Sequence, residues 1–163
     1  VIVFADVLKH FMIRDSSYFE AMNIVPLVIV ANLFLGIYHN LSVWYKLTDQ
    51  TKMGAYISIV GAAVTLGVNY ILIPKIGFLG SAIATVLAYG IMMVVSYRLG
   101  AKYYPIPYHK SKIFGYLFFS IAGSMVHFYF FRENYFVGIA FLLIFSFFVF
   151  KNEQRTLATL LKK

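Results

Sequence analysis

The chain has 163 residues, of which 61% are hydrophobic and only 12% charged, with a mean hydropathy of +0.80. Ordinary soluble domains hold about 45–50% apolar and ~25% charged residues, so the composition excludes a soluble domain and indicates an all-α, multi-span membrane protein. The net charge of +8 does not point to nucleic acid, because the basic residues sit in short loops between apolar runs, and the absence of cysteine excludes disulfides and thiolate metal sites.

In chain order, Val1 to Leu8 reads as the end of a span whose beginning lies upstream. The sequence opens in mid-hydrophobic sequence without an initiator Met, a basic n-region or a cleavage motif, as expected of a C-terminal piece of a longer protein. Lys9, His10, Arg14, Asp15 and Glu20 mark its exit into a polar loop. Five complete spans are predicted after it, at about 21–45, 53–73, 77–97, 113–131 and 135–150, since ~20 residues at ~1.5 Å each cross a ~30 Å hydrocarbon core. The first is long and is expected to tilt or kink near Pro26. The second and third carry no charged residue, and Pro74 is expected to end the second while Gly77 turns the chain back. Arg98 to Lys112, with Pro105 and Pro107, reads as the largest connection, and Arg132 to Asn134 as a sharp polar turn. Residues 1–150 thus form one transmembrane lobe, and 151–163 a basic tail that either lies as a short helix on an anionic leaflet or frays.

Gly77, Gly80, Ser81, Ala84 and Ala88 give the third span a small-residue face suited to close helix packing. Tyr38, Trp44, Tyr45, Tyr97, Tyr103, Tyr104 and Tyr108 gather near span ends, as interfacial aromatic belts do. Counting Lys and Arg on alternate sides places Lys46, Lys52, Arg98, Lys102, Lys110, Lys112, Lys151, Arg155, Lys162 and Lys163 together, against Lys9, Arg14, Lys75 and Arg132. The richer side is assigned to the cytoplasm, which puts the turn at Pro74 to Gly77 outside and the C-terminus inside.

No paired carboxylates, nucleophile elbow or phosphate loop is present, and His10, His39, His109 and His127 lack metal-ligand spacing, so neither an active site nor a metal or cofactor site is read. The acidic residues Asp6, Asp15, Glu20, Asp49, Glu133 and Glu153 all lie outside the middle of a complete span. An ion-coupling carboxylate, if one is used, therefore belongs to sequence upstream.

The run Leu72-Ile73-Pro74-Lys75-Ile76-Gly77-Phe78-Leu79-Gly80-Ser81-Ala82-Ile83-Ala84-Thr85 resembles the hairpin in the C-terminal half of bacterial polysaccharide-biosynthesis flippases, in the multidrug and oligosaccharidyl-lipid exporter superfamily. Asn23 to Leu27 with Gly36 to Lys46 is similar to the preceding helix of that family, and Lys102 to Tyr108 to the following loop; the resemblance covers about Val1 to Tyr108. It implies most of the second lobe of a two-lobed flippase in the bacterial inner membrane. The cargo implied is an undecaprenyl-pyrophosphate-linked oligosaccharide such as an O-antigen precursor, and the partners are the bilayer and an N-terminal lobe of the same chain. A cation-coupled multidrug exporter of the same superfamily is the alternative; a glycan-assembly enzyme would need a longer outer loop.

Within that reading, Asn32, Gly36, His39, Asn40 and Val43 share one face of the first complete span, with Leu33, Leu35 and Ile37 set against them. Gly54, Ser58, Gly61, Ala62, Thr65 and Asn69 make a small, polar stripe on the second. Asn32, His39, Asn40, Thr65 and Asn69 either bond neighbouring helices or line a watery cavity for a polar headgroup. Lys46 and Arg98, at the inner ends of their spans, either attract a diphosphate or serve as positive-inside anchors.

Overall fold

The computed structural model describes residues 22–105, 110–131 and 134–160. The expected truncated span at 1–8, its exit loop, the segment 106–109, Arg132, Glu133 and the last three residues lie outside them. The described residues are almost entirely helical, with no strand among them. Two compact units divide them, one holding 22–105 and the other 110–160.

The first unit contains α1 (Val25–Leu41), the short α2 (Val43–Leu47), α3 (Thr51–Ile76) and α4 (Phe78–Tyr103). The second contains α5 (Lys110–Phe130) and α6 (Tyr135–Leu160). Among the described residues, four stretches are long and apolar enough to cross a membrane: Met22–Leu47, Thr51–Ile76, Phe78–Tyr103 and Ser111–Phe130. The apolar part of α6, Phe136–Asn152, is shorter, although the helix itself runs unbroken to Leu160.

Local chemistry explains where the boundaries differ from those expected. Pro26 does not kink the first span; it sits in the first turn of α1, where a missing N–H costs nothing. The interruption comes instead at Ser42, whose hydroxyl donates to the His39 carbonyl at 2.6 Å and whose N–H bonds back to Tyr38 and His39. These bonds tighten the end of α1 and separate it from α2.

Pro74 does not end α3, which continues to Ile76. The Tyr70 carbonyl loses its usual i+4 donor, a cost confined to the last turn. The helix stops at Gly77, where φ is 56° and ψ −133°, a conformation open essentially only to glycine. Nor does Arg98 begin a connection: α4 carries it and Lys102 in its last turns and stops at Tyr104, ahead of Pro105.

α4 organises the first unit, packing along both α1 and α3. Gly80, Ala84, Ala88, Met92, Ser96 and Gly100 are buried at four-residue spacing and form one continuous ridge. A Cβ on Gly80 would lie 2.8 Å from the Leu72 carbonyl carbon, and Gly61 faces the Met92 sulfur, so α3 and α4 run antiparallel in tight contact. Phe34 lies against Gly90 and Trp44 against Gly100, ten residues on in each chain segment, so α1 and α2 run parallel to α4.

The core is a cluster of Tyr38, Trp44, Tyr45, Ile57 and Met92. Tyr38, Trp44 and Tyr45 are therefore packed inside the unit rather than serving as a belt. Their rings fit because Gly54 and Gly100 leave room: an added Cβ would meet the Tyr45 ring at 2.9 Å and the Trp44 ring at 2.9 Å. Tyr103, which stacks on Trp44 with ring centroids 5.7 Å apart, and Tyr104 remain exposed.

In the second unit, Phe119 of α5 stacks with Phe141 and Phe145 of α6, at 5.3 and 5.9 Å between centroids. Gly123 faces the Phe141 ring and lets it press against the α5 backbone.

Candidate functional site

On α1 the side that meets the rest of the unit consists of Ala31, Phe34 and Tyr38, while Asn32, Gly36, His39 and Asn40 are exposed. Among the described residues, no atom outside α1 lies within 4 Å of a Cβ built on Gly36, which is itself exposed. Leu33 is exposed beside it and Leu35 packs against the core, so the two do not form a shared opposite face. The amides are satisfied locally: Asn32 Nδ2 donates to the Val28 carbonyl at 2.9 Å, and Asn40 Nδ2 to the Gly36 carbonyl at 3.1 Å. Neither bonds another helix. Each amide thereby sheds part of its desolvation cost and keeps its carbonyl oxygen free as an acceptor.

The stripe on α3 behaves similarly. Ser58 donates to the Gly54 carbonyl and Thr65 to the Gly61 carbonyl, both at 2.9 Å, so both hydroxyls use their own backbone, and Ser58 also meets the Tyr38 hydroxyl of α1. Asn69 is the exception. Its Oδ1 is buried with no hydrogen-bond partner among the described residues, and it lines an open groove of about 660 Å³ with Leu66, Tyr70, Ile73, Pro74 and Lys75.

Helix register fixes the depth of each candidate. Asn32 and Thr65 both lie level with the neighbourhood of Ala88, Asn40 near Ser96, and Asn69 near Ala84. From Asn69 to Asn40 the set covers about 18 Å along the bundle axis. The five residues are not drawn to one point, and among the described residues no hydrogen bond joins Asn32, His39 or Asn40 to Thr65 or Asn69.

Lys46 and Arg98 are exposed and lie at the same end of the unit, since α2, the start of α3 and the end of α4 meet around Trp44 and Tyr45. Lys52 and Lys102 share that end, which gives a concentration of positive charge opposed by Asp49. The other end, at Gly77, carries Lys75. Asp49 turns the chain with φ 56°, a left-handed conformation that Asp tolerates better than most residues.

Sequence reading missed the pairing of Trp44 with Ser96 and Gly100 under this charged end. The signal was present, for the four-residue ladder of small residues continues past Ala88 through Ser96 and Gly100. It also missed the groove beside Asn69, which depends on Tyr70 and Lys75 flanking Pro74. Among the described residues, no three of His, Asp or Glu come together as a metal site would require. Comparison with protein-family models, curated proteins and solved structures yields no match.

Proposed function

We propose that this chain is the greater part of one lobe of a flippase that carries a lipid-linked oligosaccharide across the bacterial inner membrane by alternating access. The observation that carries the reading is the staggered file of polar side chains along α1 and α3, set in a bundle that is otherwise apolar and cationic at one end. A sugar headgroup needs hydrogen-bonding partners at successive depths, whereas its lipid tail stays in hydrocarbon. Asn32, His39, Asn40, Thr65 and Asn69 supply those partners, while Lys46 and Arg98 attract the diphosphate at entry. The resemblance of the Leu72 to Thr85 hairpin points to the exporter superfamily as a whole, and that of the Lys102 to Tyr108 loop narrows it to flipping.

In this reading the chain crosses the bilayer five times. The apolar part of α6 spans about 25 Å, and the bilayer thins slightly to match it. The basic end and the C-terminus are cytoplasmic.

Single-cysteine labelling in the full-length protein tests the proposal, and these 163 residues contribute no cysteine of their own. Cysteines at Asn32, His39, Asn40 and Asn69 should react with a membrane-impermeant thiol reagent that needs water, and a lipid-linked oligosaccharide should protect them. Leu87 and Val94, exposed apolar positions on α4, should stay unreactive. Equal protection at polar and apolar positions would remove the cavity and the proposal with it.

A further inference from the structure

We propose that a single ordered water molecule is bound between α2 and α4, joining the Trp44 indole to the Ser96 hydroxyl at the cationic end of the first unit. Trp44 is 2% exposed and Ser96 0%. Neither Trp44 Nε1 nor Ser96 Oγ has a hydrogen-bond partner among the described residues, an arrangement that native interiors rarely leave unanswered. Both residues line one small cavity of about 20 Å³, together with Leu41, Tyr97, Gly100, Ala101 and Tyr104. A polar cavity above about 10–15 Å³ holds one water, so this one has room for little else.

The chemistry of the two groups matches water. An indole N–H only donates, and a serine hydroxyl both donates and accepts. One water oxygen can therefore accept from Nε1–H while the same molecule bonds Oγ in either direction. A cation is disfavoured because an indole N–H cannot accept and none of the described residues lining the cavity is a carboxylate.

Ser96 also departs from three other helical hydroxyls of this unit. Ser58, Thr65 and Thr85 each donate to the carbonyl four residues back, whereas Ser96 leaves that local partner unused. Gly100 shapes the seat, since a Cβ there would stand 2.9 Å from Trp44 Cδ1 and 3.2 Å from Nε1. The water would couple α2, just past the break at Ser42, to the last turns of α4.

Trp44 is the only tryptophan in the chain, so its indole N–H gives one resonance in protein labelled with ¹⁵N-tryptophan and held in detergent micelles. That resonance should show a dipolar cross peak to water that survives a soluble paramagnetic chelate. Ser96→Val, which fills the cavity with methyl groups, should abolish the cross peak and move the indole proton upfield; Ser96→Ala, which adds no bulk, should weaken it if the valine variant does not fold. A folded wild-type protein without the cross peak overturns the proposal. So does a cross peak erased by the chelate, which would report bulk solvent, or one of undiminished intensity in either variant.

Discussion

At the scale of single residues, two glycines with the same chemistry have opposite roles. Gly77 holds φ 56° and ψ −133°, with no atom beyond its chain neighbours within 4 Å of an added Cβ. The cost of Gly77→Ala is therefore backbone strain alone, about 1–3 kcal/mol. Gly67 lies inside α3, also with open space around its Cβ position, and Gly67→Ala should stabilise by about 0.5–1 kcal/mol. Thermal unfolding in detergent, followed by Trp44 fluorescence, should show shifts of opposite sign. Equal shifts would mean that the turn at Gly77 does not require its left-handed backbone. Asp49 presents a milder case: Asp49→Gly should be neutral or stabilising and Asp49→Val destabilising, because a β-branched residue resists positive φ.

At the scale of elements, the α3–α4 hairpin depends on close backbone approach rather than on the proline that marks it in sequence. Pro74→Ala should leave the hairpin folded, since α3 already runs through this position and the substitution returns a donor to the Tyr70 carbonyl. Gly80→Leu should do the opposite. Its Cβ would strike the Leu72 backbone 2.8 Å away, and backbone yields less readily than a side chain, so a loss of about 1–3 kcal/mol or more is expected. Disulfide trapping between cysteines placed at Gly61 and Met92, which face each other further along the same interface, reads the separation of the two helices in each variant. Trapping should persist in Pro74→Ala and fall in Gly80→Leu. Its loss in Pro74→Ala would return the turn to the proline, and undiminished trapping in Gly80→Leu would show that the close approach at Gly80 is dispensable.

At the scale of the whole molecule, the proposed orientation rests on charge. Lys46, Lys52, Arg98 and Lys102 meet at one end of the first unit, with Lys75 at the other. Reporter fusions at Lys75 and after Lys163 should give opposite signals, the first outside and the second inside. Matching signals would remove the five-span topology. Under the flippase reading a single lobe cannot rock against a partner, so this chain reconstituted alone should not move a lipid-linked oligosaccharide between leaflets; unaided flipping in vesicles would count against the two-lobed mechanism.

The sequence by itself determined that the chain is helical and apolar on the scale of a bilayer, because composition and run length act locally and need no knowledge of neighbours. It also determined the small-residue face of α4, since Gly80, Ala84 and Ala88 recur at helical spacing. The tertiary structure alone decided which aromatic residues are core: Tyr38, Trp44 and Tyr45 read as belt residues until Gly54 and Gly100, on other helices, are seen to make room for the Tyr45 and Trp44 rings. It likewise decided that Asn32 and Asn40 bond their own helix, and that Asn69, which borders a groove, keeps a buried oxygen unpaired among the described residues. The physical reason is that hydropathy is a property of each segment, whereas the partner of a polar atom depends on helix register and rotation, which only packing fixes.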